Sequence, residues 1–416
     1  MSAIQTRSDN RPKTALILSA GAPHSPLMAG ALCALYDNYK RTGKLEEKGG
    51  KLFDVIYTSG AGALIGLLLA APKCKDPRKA LESIVELGVS DPIYSLLPIN
   101  FKVFFKPGPF TRPIQRVAQL FKVGEFPFRP LPEPSSPLGE WYNHWVRAGQ
   151  TLMNVGHGEL RRLYNDLVDL WAATITPTTL TYWSKGVCDP LPFIEDLIDF
   201  DTLGEKGEDF FLNFTSRADI VEAAADARKK DSKAAPRGQA SPSHSGTGAA
   251  MKVFQRGQIT PDHVRAAFAY PFIYTPVRID GNLSFEGANW EPISFGSFLK
   301  TAGALGIGHV VLIDIVSELE QFLLREPRNL WDAFGLSIIL PVVAHAKKEL
   351  ARFEEGVDRD TGRHPNRRFT FRKITFVIEP DEGAHVLDWS YSNMSAMFAN
   401  GRKAGEGFFR KYRDEL

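Results

Sequence analysis

The segment Phe53-Asp54-Val55-Ile56-Tyr57-Thr58-Ser59-Gly60-Ala61-Gly62-Ala63-Leu64 constrains the fold more than any other stretch of the chain. It opens with the apolar, β-branched and aromatic residues of a buried strand, passes through residues with almost no side chain, and continues as an apolar run to about Pro72. A buried strand that turns on small residues directly into a helix is half of a parallel α/β unit. It is also the outline of the sharp strand-to-helix turn that presents a serine within G-x-S-x-G. Here the apex holds Gly60, the first glycine position holds Thr58, and the last is kept as Gly62.

The rest of the chain fits around that unit. Residues 14–19 read as a buried parallel strand, 20–26 as a loop, and 27–39 as a helix with Leu27, Ala31, Leu32 and Leu35 on one face. Strands are expected at 53–57, 210–215, 309–316 and 374–378, and a helix at 262–270 behind the N-cap signal Thr260-Pro261-Asp262. Residues 277–285 form a hairpin in which Asp280-Gly281-Asn282 supplies the positive φ of the turn. A long helical stretch covers 329–355, interrupted at Pro341, and a closing helix covers 395–412. Residues 89–205, rich in Pro, Phe and Trp, are expected as a helical cap inserted into the domain. Residues 228–248 have almost no large apolar side chains and are expected as a disordered loop.

Several function classes are excluded by simple counts. A formal charge of +2 over 416 residues is too small for a nucleic-acid surface. The three cysteines, Cys33, Cys74 and Cys188, are far apart and odd in number, which argues for a reducing compartment and against a disulfide framework. Residues 1–13 are polar and charged, so no secretory signal is expected, and no apolar run approaches the roughly 20 residues needed to cross a bilayer. The loop after the first strand runs Gly21-Ala22-Pro23-His24-Ser25-Pro26 and lacks the G-x-G-x-x-G of dinucleotide binders. No cofactor and no metal site is expected, and the protein reads as cytoplasmic. Residues 97–130 interleave aromatics with Lys102, Lys106, Arg112, Arg116, Lys122 and Arg129, a pattern that suits a peripheral membrane contact as well as an ordinary cap with solvated charges.

Three segments in order resemble the patatin-like phospholipase family of lipid acyl hydrolases. Leu18-Ser19-Ala20-Gly21-Ala22-Pro23-His24 is similar to its glycine-rich loop and basic residue, Asp54–Ala63 to its nucleophile elbow, and Asp262–Pro292 to the stretch ending in the Asp-Gly-Gly/Ala motif. The resemblance implies a three-layer α/β/α fold with a mainly parallel central sheet, an oxyanion loop at Ala20, Gly21, Ala22 and His24, and a Ser–Asp dyad. It covers most of the chain outside the insertion and residues 228–248.

At the dyad this sequence departs from the pattern. The serine position is Gly60, and the aspartate position is Glu286 within Glu286-Gly287-Ala288. Glycine cannot form an acyl-enzyme. The neighbouring Ser59 is expected to point the opposite way from the apex, into the packing. Glutamate moves its carboxylate one methylene away from where an aspartate would hold a hydrogen bond of about 2.6–3.2 Å. Two readings follow. In the first, the chain is a degenerate member that binds a lipid or acyl chain with weak or no hydrolysis. In the second, it is an acyl-ester hydrolase or acyltransferase working through Ser59, or through a water activated by Glu286.

Overall fold

The computed structural model describes residues 12–21, 24–123, 158–205, 209–216, 251–254, 259–319, 326–327, 330–355, 357, 362–363, 369–377, 388–413 and 415. The anticipated loop at 228–248, and residues 124–157 of the anticipated cap, lie outside these. In chain order the main elements are β1 (Lys13–Leu18), α1 (Ser25–Arg41), β2 (Val55–Thr58), α2 (Ala61–Ala70), α3 (Thr111–Phe121), α4 (Gly158–Ile175), β3 (Gly186–Cys188), β4 (Asp209–Ser216), β5 (Met251–Phe254), α5 (Pro261–Ala267), β6 (Phe272–Tyr274), β7 (Val277–Ile279), β8 (Asn282–Glu286), α6 (Phe295–Leu305), β9 (Ile307–Ile313), α7 (Leu330–Glu354), β10 (Thr370–Ile374) and α8 (Tyr391–Tyr412).

The central sheet runs β10-β9-β1-β2-β4-β8-β7, with β5 also paired to β4. The five strands from β10 to β4 are parallel, and β8, β7 and β5 are antiparallel additions at the far side. Period-two alternation gives each parallel strand two apolar faces. Leu16, Leu18, Ile56, Phe210 and Leu212 enter one core with α1, α2, α5 and α8, while Ala15, Ile17, Val55, Tyr57 and Phe211 enter the other with α6 and α7. The architecture is therefore three-layered α/β/α.

Between Phe101 and Cys188, α3 and α4 pack outside the sheet, and β3 leaves this region to pair with β6. The 277–286 hairpin turns through Asp280 at φ 51° and Gly281 at φ 80°, the two left-handed residues of a type I′ turn. Among the described residues no helix is long and apolar enough to cross a membrane.

Two expected boundaries are corrected. The helix anticipated to break at Pro341 runs through it, with Pro341 on its exposed face, where the ring meets solvent rather than the core. The last strand is Thr370–Ile374, not 374–378, because it pairs in parallel with β9, and that partner ends opposite Ile374. Val377, beyond the ladder, is 71% exposed.

Candidate active site

The C-terminal edges of β1 and β2 meet where their chains turn into helices. Ser19 N–H donates to Ile313 O at 3.1 Å and Ser59 N–H to Leu18 O at 3.1 Å, so the three central strands end in register. Beyond Ser59 the backbone reverses at Gly60, with φ 49° and ψ −127°, a region that L-residues rarely adopt. The helix starts at once, with Gly62 N–H on Ser59 O and Ala63 N–H on Gly60 O. Gly62 allows α2 to sit hard against β1: a Cβ there would lie 2.5 Å from Ser19 O and 2.9 Å from Leu18 O. The turn thus has the backbone of a nucleophile elbow with no side chain at its apex.

Glu286 fills the vacancy. It ends β8 opposite Phe214, and its carboxyl group reaches across to the apex of the turn. A Cβ built on Gly60 would collide with Glu286 Oε1, lie 3.3 Å from Glu286 Cδ, and lie 3.1 Å from Ala20 Cβ in the facing loop. The carboxyl group is partly buried and has no hydrogen-bond partner among the described residues. Burial pushes it up to about 8, so it is largely protonated at neutral pH. The same carboxyl group lies close enough to raise the hydroxyls of Tyr270 and Tyr274, after their own burial, and Tyr270 reaches about 12. Gly287 and Ala288, the rest of the motif, form a buried turn that leads into Glu291.

Ser59 lies on the other side of the strand. It is fully buried, and its hydroxyl donates to Glu291 O at 2.9 Å. That bond belongs to a set that sequence reasoning did not anticipate. Ser294, held in the left-handed region at φ 60°, donates its hydroxyl to Thr58 O at 3.1 Å and accepts from the buried Asn213 amide. Glu291 is itself buried, and its carboxyl accepts from Ser297 N–H at 2.9 Å and Ser297 Oγ at 3.3 Å at the start of α6. Burial pushes that carboxyl up to about 7. Together these residues stitch the 287–294 loop to the elbow. Nothing in their local sequence marks them, because each partner is more than 80 residues away except Ser297.

In the facing loop, Ala20 N–H donates to Pro292 O at 2.9 Å, Gly21 adopts φ 133°, and Gly21 O accepts from His24 N–H at 3.1 Å. Ala22 lies outside the described residues. His24 stands at the N-cap position of α1 with no side-chain hydrogen bond to the helix, is 4% exposed, and leaves Nδ1 buried without a partner. Burial holds its imidazolium down at about 4, so His24 is neutral at physiological pH and offers a hydrogen bond rather than a charge.

Comparison with known proteins bears on this frame. The sequence pattern described as patatin-like phospholipase matches residues 16–299. No curated protein matches the chain. Among solved structures, the crystal structure of VipD from Legionella pneumophila is similar at a TM-score of 0.30 and 13% identity, covering 94% of this chain and 67% of that one. The family match spans well over half of the sequence, from β1 through the elbow and the 286–288 motif into α6: the chain belongs to the patatin-like phospholipase family.

Proposed function

We propose that this protein is a lipid-binding member of its family in which the elbow has lost acyl-transfer chemistry. The observation that carries the reading is the exchange at the dyad: Gly60 provides no nucleophile, and the Glu286 carboxyl occupies the space in which a nucleophile's side chain would stand. The other hydroxyl at the turn, Ser59, donates to a main-chain carbonyl and has no route to a ligand. With its carboxyl mostly protonated near neutrality, Glu286 has only a minor ionised fraction able to take a proton from water, which weighs against the alternative hydrolase or acyltransferase using Ser59 and Glu286. The occupant we assign is a lipid or acyl chain.

Peripheral, cytoplasmic-side membrane contact through residues 97–130 is part of the same proposal. In the described portion, Ile99, Phe110, Val117, Leu120 and Phe121 are exposed beside Arg112 and Arg116, which supports it, whereas Phe101 and Phe105 are buried and contribute packing only.

The test is reaction of the purified protein with a fluorophosphonate serine probe beside turnover of p-nitrophenyl acyl esters, with a Gly60→Ser/Glu286→Asp double variant run in parallel. The natural protein is expected to stay unlabelled and inactive, and the double variant to gain labelling at position 60. Labelling of the natural protein at Ser59, or ester turnover lost in Glu286→Gln, would overturn the reading.

A further inference from the structure

Away from the elbow, a cavity of about 170 Å³ opens between α2, the 83–87 turn and the two outer helices α3 and α4. No residue of the elbow, the oxyanion loop or the Glu286 motif lines it. Its floor is apolar: Leu68, Ile84, Leu87, Phe105, Phe193 and Leu197. Leu68 is eight residues along α2 from Gly60, about 12 Å at 1.5 Å per residue, so this is a separate site on the same helix. That apolar floor can cover a small alkyl group and take it out of water.

The mouth is ionic, and its charges are unevenly matched. Asp166 is neutralised by Lys102 at 2.5 Å, Asp169 by Lys122 at 2.7 Å, and Glu86 by Arg162 at 3.5 Å. Arg162 also stacks over the Tyr391 ring, yet its Nε is buried with no acceptor. Arg161, next to it on the rim, is exposed and has no carboxylate partner among the described residues. A shallow extension that shares Gln115, Gln119, Phe193 and Asp196 adds Arg112 and Arg116. The wall carboxylates at 86, 166 and 169 are therefore already countered, Asp196 lies in the field of Arg116 and Arg112, and Arg112 itself pairs with Glu195 at 3.6 Å, which leaves Arg161 as the rim cation with no carboxylate partner among the described residues.

We infer that this cavity is a second ligand site that takes an alkyl chain bearing an anionic head, the chain on the Leu68/Phe105/Phe193 floor and the head on Arg161 and Arg162. Each methylene buried on the floor strengthens binding by removing apolar surface from water, and a guanidinium binds a carboxylate or phosphate through paired, charge-assisted hydrogen bonds. The site does not depend on how the elbow is read.

The test is calorimetric titration of the full chain with octyl phosphate, octanoate, octanol and inorganic phosphate, each below its aggregation concentration. Saturable binding of octyl phosphate or octanoate at one site is expected, with octanol at least about tenfold weaker, as loss of a charge-assisted bond implies, and inorganic phosphate not saturating. Comparing octyl phosphate with octanoate shows which head is preferred. Arg161→Ala should reduce the anionic ligands toward the octanol level, and Gln119→Trp, a bulky rim residue on a half-buried helix face, should block all the alkyl ligands. The site is refuted if octyl phosphate and octanoate fail to bind, if inorganic phosphate binds as tightly as octyl phosphate, or if both variants, shown folded by circular dichroism, keep the natural affinity.

Discussion

At the scale of single residues, Gly60 and Glu286 are a matched pair. Gly60 tolerates φ 49° without the cost of roughly 1–2 kcal/mol that an L-residue carries in the left-handed region. It also leaves room for the longer carboxylate of Glu286. Gly60→Ala should therefore cost about 2–4 kcal/mol, from backbone strain and collision with Glu286 together. Part of that cost should return when Glu286 is shortened to alanine. A urea double-mutant cycle over Gly60→Ala and Glu286→Ala should show a coupling energy of about 1 kcal/mol or more, favouring the double variant. Additive single effects would mean that the carboxyl does not occupy the apex in solution. The sequence identified both positions as departures. It could not show that one departure fills the space left by the other, because they are more than 220 residues apart.

At the scale of elements, the closest helix pair is α1 with α8, and it interlocks through backbone rather than side chains. A Cβ on Gly401 would strike the Leu27 carbonyl, one on Gly405 the Ala31 carbonyl, and one on Gly30 the Phe398 carbonyl. Gly407, on the same helix, faces open space. Thermal melts should separate the two cases. Gly401→Ala should destabilise by about 1–3 kcal/mol through overpacking, while Gly407→Ala should stabilise by about 0.5–1 kcal/mol through helix propensity alone. An equal response at both positions would rule out the close approach. Both helices were legible from periodicity, but their glycines gave no hint of a partner, since periodicity reports which face is buried and not against what. The shift of β10 to Thr370–Ile374 has the same origin: a strand's ends are set by the ladder it joins.

At the scale of the whole molecule, buried titratable groups on the sheet's C-terminal edge make stability depend on pH in a definite direction. Glu286 and Glu291 are raised to about 8 and about 7 from an ordinary 4.5. Between those values the folded state keeps protons that the unfolded state has released, so stability falls as pH rises from about 4.5 to about 8. His24 is lowered to about 4 from 6.5, so below about 6.5 the unfolded state takes up a proton that the folded state refuses, and stability falls as pH drops. Between about pH 4.5 and 6.5 the two glutamates outweigh the one histidine, so these groups place the maximum of the melting temperature near pH 4, with a decline of several degrees toward pH 8. Glu286→Gln should flatten the alkaline side, and His24→Gln the acid side. A flat profile in the natural protein would mean that these groups are hydrated.

The sequence by itself determined the alternation of buried strands and helices and a mainly parallel sheet, because apolar periodicity and the small-residue turn act over a few residues each, while its motif segments carried the resemblance that implied the family and its three-layer plan. It also fixed that the apex residue, Gly60, carries no side chain. Only the tertiary structure decided where the replacing groups go. Glu286 enters the apex, Ser59 is committed to the Glu291 carbonyl, Asn213 and Ser294 brace the loop, and the Leu68 cavity opens beside Arg161. Each of these joins residues distant in the chain, and its energy comes from desolvation and close packing, which exist only once the chain has closed on itself.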